Sequence, residues 1–548
     1  MIYENIEVEM PKKRRVSWSK NRPYVSEIFS RKGKDTVDDV QIVGVAISKS
    51  STLMHPNHIY YQRHPEVKQD LAIHNSEFCS CQSIGQYVFI NQVCNLTGLN
   101  MILKDIYNES YKEIIGIMIS TLANREINID TFKSYQYDHY IGVNYYLDIT
   151  KIFNEKITHE NIKLFTTKWL EYRLSLNKTP TVEVDFDSSN CNTFSNNISY
   201  AERGKAKKDE NLPQINFSYI VEKNTGIPIH FDMFYGSIVD MEHCKNYMNK
   251  VKAINDKTQF FFCLDRGYYT KEILKIFSER YKFAVMGKDN IKSDDFIKKY
   301  PISIITKSEN RIKGSIYGIE FEDKPYIDFE NNLYIYLYYD SSKNLISSQV
   351  EQDKLEKIAQ IIKGKKDKNG SITNTWGDKI KITVNKKTKL ITDAIIDYKK
   401  LDERISKTGY FYIVSNELMT PKEMFAFYRH RDIVEKSFRY SLSEEDLGKN
   451  YSQSDNSYEA KRFIGFLCSI VRADIIDRMN PFFFQYTNKT THSIIQEMGK
   501  IKSDKYSNKN VLMCPLTNIQ KQISSFYSLS NSNYQEIINE FDTISFPD

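Results

Sequence analysis

The sequence lacks any run of about 18 or more apolar residues, the length that a membrane-spanning helix requires. Its first residues, MIYENIEVEMPKKRR, also lack the apolar core of a secretory signal. We therefore expect a cytoplasmic protein without a membrane partner.

Cysteine is scarce, with eight residues that do not repeat at the spacing of zinc ligands. The ten histidines do not complete such a set. We expect reduced thiols that lie mostly in hydrophobic cores.

Strong net charge is absent too, since 76 basic residues stand against 70 acidic ones and leave +6. Overall charge therefore does not indicate a nucleic-acid-binding protein. Two basic clusters do stand out, namely Lys12, Lys13, Arg14 and Arg15, and then Lys363, Lys365, Lys366 and Lys368. A solvated basic face explains each cluster as well as nucleic-acid binding does. We interpret the first as a DNA-contacting arm.

A chain of 548 residues is too long for one core and predicts about three or four structural units. The N-terminal region starts irregular and basic, then turns helical, and is a candidate for DNA binding. The units that we predict are a mostly helical N-terminal region at 1–165, the first part of a catalytic domain at 166–287, a β-rich insertion at 288–408, the rest of the catalytic domain at 409–450, and a helical C-terminal region at 451–548.

The segment from Thr181 predicts an α/β fold with a mixed sheet flanked by helices. TVEVDFD alternates apolar and acidic residues, which is typical of a strand. INFSYIVEK and IPIHFDMFYG predict two strands joined by a turn at Asn224-Thr225-Gly226. TQFFFCLD is nearly continuously apolar, as expected of a strand buried on both faces. The predicted order is β-β-β-α-β-α-β.

A helix start is marked at Thr420, which can cap the helix, with Pro421 in the first position and Glu423 closing a capping box. We expect this helix to run to about Leu447, with Gly448 as its stop.

Three carboxylates are the candidate catalytic and metal-binding residues. We place Asp187 and Asp265 at the ends of two strands, where open α/β sheets commonly bind ligands, and Glu435 within the helix. Asp185, on the same strand face as Asp187, is the alternative first acid. Three acids brought together need a cation, and oxygen ligands without Cys or His favour Mg²⁺ or Mn²⁺, two ions of which can drive phosphoryl transfer.

At these residues the sequence resembles the DDE transposases of bacterial insertion sequences, in the group with a Y-x2-R-x3-E-x6-K signature. Tyr428, Arg431 and Glu435 match that signature, while DFDSSN and FCLDRGYY place Asp187 and Asp265 at the first two acids. The resemblance implies a ribonuclease H-like core with a β-rich insertion between the second and third acids. It further implies metal-dependent hydrolysis and strand transfer at the terminal inverted repeats of double-stranded DNA and into target DNA, by a homodimer near the bacterial nucleoid.

The resemblance also suggests DNA contacts. Tyr428 and Arg431 belong to the signature, although helix packing explains Tyr428 equally well. Arg266 is a candidate phosphate ligand or a structural ion pair. The family's lysine is replaced by Leu442, and we expect Arg439, on the same helix face as Glu435, to take its role.

Two alternatives stay open from the sequence. A ribonuclease H-like nuclease without strand transfer would use the same acids, because only the attacking oxygen differs. A transposase-derived DNA-binding protein with a dead site is favoured by Leu442 and disfavoured by the presence of all three acids.

Overall fold

In the computed structural model of the chain, helices and one large mixed sheet form an α/β fold. The structure describes residues 6–540 except 20–21, 32–36, 49, 65–66, 68–77, 144, 196, 205–208, 210, 255–256, 432–448, 451, 487, 507–509 and 513–514.

The N-terminal residues form a five-stranded antiparallel sheet, in the order β1-β5-β4-β3-β2. Its strands are β1 (Val8–Glu9), β2 (Arg14–Ser19), β3 (Arg22–Arg31), β4 (Val37–Ala46) and β5 (Leu53–Pro56). Helix α1 (His58–Arg63) packs on one face through Tyr60 and Tyr61. The predicted irregular start of a mostly helical region is therefore wrong here. Charged and serine residues interrupt the alternation of apolar and polar residues in these strands, and for this reason the sequence pattern did not predict them.

Helices dominate the rest of this region, as predicted. After β6 (Phe78–Ser83) come α2 (Gly85–Thr97), α3 (Leu99–Tyr107), α4 (Tyr111–Asn124), α5 (Ile129–Asp138), α6 (Ile149–Lys151, continued by a π-helical turn at Ile152–Lys156) and α7 (His159–Leu176). Gly98 joins α2 to α3 with a φ of 84°, a conformation that glycine adopts without steric cost. Gly98 thus marks the boundary between the two helices.

The centre of the fold is a ten-stranded mixed sheet. Its first five strands are β7 (Thr181–Thr193), β8 (Gln214–Glu222), β9 (Pro228–Tyr235), β10 (Gln259–Leu264) and β11 (Lys282–Met286), with α8 (Asp240–Ile254) and α9 (Lys271–Arg280) between them in the chain. They lie side by side as β9-β8-β7-β10-β11, where β7, β8 and β9 pair antiparallel and β10 pairs parallel with both β7 and β11. The predicted element order is confirmed.

Strand β10 is buried on both faces, as its apolar run predicts. Phe260, Phe262 and Leu264 join the core that α8 and α9 cover, whereas Phe261 and Cys263 face the opposite side. The sheet therefore separates two cores, and the acidic face of β7 belongs to the second side.

Residues 288–408 contain more helix than the β-rich prediction allowed. They form α10 (Ile291–Lys299), α11 (Ile302–Ile305), β12 (Arg311–Lys313), β13 (Ile316–Asp323), β14 (Leu333–Asp340), α12 (Ser341–Ile362), α13 (Ser371–Trp376), β15 (Ile380–Val384), β16 (Ile391–Ile396) and α14 (Tyr398–Ile405). The first three of these strands extend the large sheet, while β15 and β16 form a separate hairpin. The unit is mixed α/β mainly because it contains α12, a helix of 22 residues that we did not predict from the sequence. Asp340 caps the start of this helix.

Strand β17 (Tyr410–Ser415) returns to the large sheet between β14 and β11. Helix α15 (Pro421–Arg429) follows, and the predicted capping box is confirmed: Glu423 N–H donates to the Thr420 hydroxyl, and the Thr420 N–H donates to Glu423. The described helix ends at Arg429, and the expected continuation to Leu447 and Gly448 lies outside the described residues.

The C-terminal region shares a core with the N-terminal helices. It comprises β18 (Lys449–Asn450), α16 (Asp455–Arg478), α17 (Asn480–Gln485), α18 (Thr491–Met498), β19 (Lys502–Tyr506), β20 (Asn510–Leu512), α19 (Asn518–Phe526) and α20 (Asn531–Glu540). Apolar residues of α16 pack with α2 and α4 in one cluster, and β19 pairs with β6. The predicted helical character holds apart from these short strands. In the part of the chain that the structure describes, no helix is long and apolar enough to cross a membrane.

Candidate active site

The register of two parallel strands brings the first two predicted acids together. Phe186 of β7 lies opposite Leu264, the last residue of β10, so that Asp187 and Asp265 follow side by side. Asp265 does come directly after its strand. Asp187 does not: β7 continues to Thr193 by pairing with β8, so the acid lies within the strand rather than at its end.

The carboxylate of Asp187 is held by its neighbours. Ser188 N–H donates to Asp187 Oδ1 at 2.8 Å, and the Ser188 hydroxyl lies 2.9 Å from the hydroxyl of Tyr268, which is buried. Tyr268 comes from the FCLDRGYY segment, so this contact ties the two acid-bearing segments to each other. Neither Ser188 nor Tyr268 is predicted from the sequence, although each lies within three residues of a candidate acid.

Arg431 connects the two acids. Its guanidinium nitrogens lie 3.3 Å from Asp265 Oδ1 and 3.8 Å from Asp187 Oδ2. Because both carboxylates reach the same guanidinium, they face one point in space. The Arg431 side chain is only 13% exposed, compared with 42% for Asp265. A positive charge thus lies between two acids at a site that remains open to solvent on the Asp265 side.

Tyr428 and Phe427 fix helix α15 to the sheet. The Tyr428 hydroxyl donates to the Leu264 carbonyl at 3.3 Å, one residue before Asp265. The Phe427 ring stacks on Phe261 with 4.1 Å between centroids. Burial raises the pKa of the Tyr428 phenol, which therefore stays protonated and able to donate. These contacts place the end of the helix, and with it Arg431, over the carboxyl end of β10.

The alternative first acid, Asp185, is in a different environment. Its carboxylate is fully buried and accepts a hydrogen bond from Lys223 Nζ at 2.9 Å, in an ion pair whose lysine is also buried. Lys223 Nζ further lies 4.3 Å from the centroid of the Phe427 ring. Burial raises the pKa of Asp185, and Lys223 opposes that rise. Asp185 is enclosed by a partner, whereas Asp187 keeps 17% of its side chain exposed.

Of the other candidate residues, the structure describes Arg266. Arg266 forms an exposed ion pair with Asp289 at 3.3 Å, which contributes about 0–1 kcal/mol to stability and leaves the arginine accessible. Glu435, Arg439 and Leu442 lie outside the described residues. Among the residues that are described, no group of three or more His, Cys, Asp or Glu side chains could hold a metal ion.

A cavity of about 390 Å³ opens beside Arg431. Most of its walls are apolar and aromatic and include Phe411, Phe425 and Tyr428. Its charged lining consists of Lys343, Arg429 and Arg431 with one acid, Asp340. The Arg429 guanidinium lies 5.2 Å from the Phe425 ring centroid. An apolar cavity with basic lining next to paired carboxylates suits an anionic substrate that carries planar groups.

Comparison with known proteins gives little further identification. No protein-family model and no curated protein sequence matches the chain. The cryo-EM structure of a piggyBac transposase synaptic complex with hairpin DNA aligns over 85% of this chain and 85% of that chain, with a TM-score of 0.34 and 10% sequence identity. A TM-score this low carries no argument about function.

Proposed function

We propose that the chain is a DNA transposase that hydrolyses and rejoins phosphodiester bonds at the ends of an insertion sequence. The observation that carries this proposal is the convergence of Asp187 and Asp265 on the Arg431 guanidinium. The same arrangement supports a functional role for the Y-x2-R spacing of Tyr428 and Arg431. Tyr428 binds the helix to the end of β10, and from that position Arg431 contacts both acids.

The strand arrangement supports a ribonuclease H-like core, which the resemblance implies. Three antiparallel strands, β7 to β9, are joined by two strands that run parallel to β7, in the order β9-β8-β7-β10-β11. The first acid lies on β7 and the second follows β10, at the centre of that arrangement.

The donor set fits divalent magnesium or manganese. The carboxylate oxygens of Asp187 and Asp265 are hard ligands, and both face the position that the Arg431 guanidinium occupies. The signature assigns Glu435 as the third ligand. Two such ions, when bound, would activate the attacking oxygen and stabilise the leaving one. Ser188 and Tyr268 would keep Asp187 oriented for that role.

The basic side chains near the acids would bind double-stranded DNA. Arg431 and Arg429 line the cavity beside the acids, and the exposed Arg266 follows Asp265 directly. With Arg439 from the signature helix, they would hold phosphates of the terminal inverted repeat and the target. We expect a homodimer on DNA, because a transposition event must join two ends.

A cleavage assay on the terminal repeats that flank the coding region tests the proposal. With Mg²⁺, we expect cleavage at the repeat ends and joining of the new 3′-OH to a target plasmid, and EDTA should abolish both. Cleavage without joining would indicate the nuclease alternative. Binding of the repeats with neither reaction, in Mg²⁺ and in Mn²⁺, would indicate a transposase-derived DNA-binding protein.

Arg431 gives a second test, which does not depend on catalysis. The guanidinium lies where a cation would be held, so Arg431→Gln should tighten Mn²⁺ binding to the DNA-free protein at least about tenfold, or about 1.4 kcal/mol. Titration followed by electron paramagnetic resonance measures this affinity. Arg429→Gln is the matched control, since Arg429 is exposed and precedes Arg431 by two residues, and it should leave the affinity unchanged. Weaker Mn²⁺ binding by Arg431→Gln would mean that the arginine orients the acids instead of competing with the ion.

A further inference from the structure

Strand β2 forms an open edge of the N-terminal sheet. All six of its residues are exposed, and among the strands that the structure describes it pairs only with β3. The core of this sheet is built by residues of β1, β3, β4, β5 and α1 together with Met10, and within the described residues no side chain of β2 belongs to it. The hairpin of β2 and β3 together with Lys12 and Lys13 directly before it, which we call the N-terminal ribbon, therefore presents β2 to solvent along its length.

The ribbon is rich in basic residues. From Lys12 to Arg22 the sequence contains six basic residues and no acid. Lys12, Lys13 and Arg15 are exposed and have no ion-pair partner among the described residues, while Arg14 donates to the Pro11 carbonyl at 3.2 Å. The nearest cross-strand acid, Glu27 opposite Arg14, is buried and pairs with His64 at 2.7 Å.

The charge is distributed over both faces of the ribbon. Side chains alternate along a strand, so Arg14 projects with Val16 and Trp18 to one face, and Arg15 projects to the other. Val16 and Trp18 are 43% and 52% exposed, which leaves room for a partner to approach that face. One or two charges on an edge strand are enough to prevent edge-to-edge strand pairing, whereas this edge begins with four consecutive exposed basic residues, Lys12 to Arg15.

We infer that the N-terminal ribbon binds the backbone of duplex DNA, as an anchor separate from the acids. Because β3 also pairs with β4, the hairpin can offer only its β2 edge to a partner. Exposed arginine and lysine side chains along such an edge contact DNA phosphates without reading the base sequence, which matches the backbone of a duplex as the partner. The choice of DNA as the partner rests on the proposed function, whereas the binding itself needs neither the metal ions nor Asp187 and Asp265.

The salt dependence of DNA binding tests the anchor. The affinity of the full chain for a duplex of random sequence is measured in EDTA between about 50 and 200 mM salt, for wild type and for Lys12→Gln/Lys13→Gln/Arg15→Gln. Each lost phosphate contact lowers the log–log slope by about 0.9, so we expect a slope that is smaller by about 2.7. The charge-preserving variant Lys12→Arg/Lys13→Arg/Arg15→Lys should keep the wild-type slope, which excludes misfolding as the cause.

The matched control removes three charges that are dispersed. Lys104, Lys133 and Lys163 are exposed on three different helices, and changing them to Gln should alter the slope by less than one contact, about 0.9. An unchanged slope in the ribbon variant, or an equal decrease in the control, would overturn the anchor. A ribbon variant that changed only the oligomeric state, measured by sedimentation, would also overturn the anchor. That result would mean that the edge strand β2 pairs with a second copy of the chain. Cleavage at saturating DNA reports separately on the proposed function, and the ribbon variant should retain it.

Discussion

Replacing Asp265 with asparagine should slow metal-dependent strand cleavage at least about a thousandfold, while the affinity for end DNA stays near the wild-type value. Metal ions contribute several kcal/mol of transition-state stabilisation, and about 4 kcal/mol corresponds to that factor. Asparagine keeps the shape of the side chain but cannot supply the negative charge. We expect the same for Asp187→Asn, since the two carboxylates face the same point. Single-turnover cleavage and a separate binding titration measure the two effects.

Two neighbouring acids provide the comparison. Asp289→Asn removes a fully exposed carboxylate that pairs with Arg266, and it should leave the cleavage rate within about twofold of wild type, as expected for a surface ion pair. Asp185→Asn tests the choice of first acid. If Asp187→Asn cleaved normally and a folded Asp185→Asn did not, then Asp185 would be the ligand and our assignment would be wrong.

The part of the fold that holds these acids was predictable because each strand there carries a clear pattern. TVEVDFD alternates, so that Asp185 and Asp187 share the face opposite Val184. The run FFFCL indicates a strand buried on both faces, and the structure divides it between two cores. Thr420, Pro421 and Glu423 fixed the start of helix α15 because capping depends only on residues that are close in the chain.

The remaining features depend on contacts between distant parts of the chain. Asp187 lies within its strand, not at its end, because pairing with β8 extends β7 through the polar residues that follow the acid. Helix α12 was missed because it buries only Leu355, Ala359 and Ile362, too few to produce a clear helical period over 22 residues. The bridging position of Arg431 and the pairing of Lys223 with Asp185 required the tertiary structure.

Replacing Lys223 with methionine should lower the free energy of unfolding by about 3–5 kcal/mol, the range for removing one partner of a buried ion pair. Asp185 would be left as an unpaired carboxylate with no exposed surface, although methionine fills a similar volume above Phe427. Chemical denaturation at pH 7 measures this loss.

The pH dependence of the stability of Lys223→Met has a definite sign. Burial already raises the pKa of Asp185, and loss of Lys223 raises it further, so the folded state binds a proton more readily than the unfolded state. The stability of Lys223→Met should therefore fall as pH rises from about 4, the unfolded pKa of an aspartate, towards neutrality.

The double variant Asp185→Asn/Lys223→Met separates the charge from the packing. It removes both charges, so most of the lost stability should return and the additional pH dependence of Lys223→Met should disappear. Comparing the two variants at each pH cancels the titration of all other groups. If the double variant were as unstable as Lys223→Met, the lysine would act through its contact with Phe427 and the support it gives helix α15, not by compensating a buried carboxylate. In that case Arg431, which this helix carries to the acids, should lose its position as well, and Mn²⁺ affinity should change together with stability.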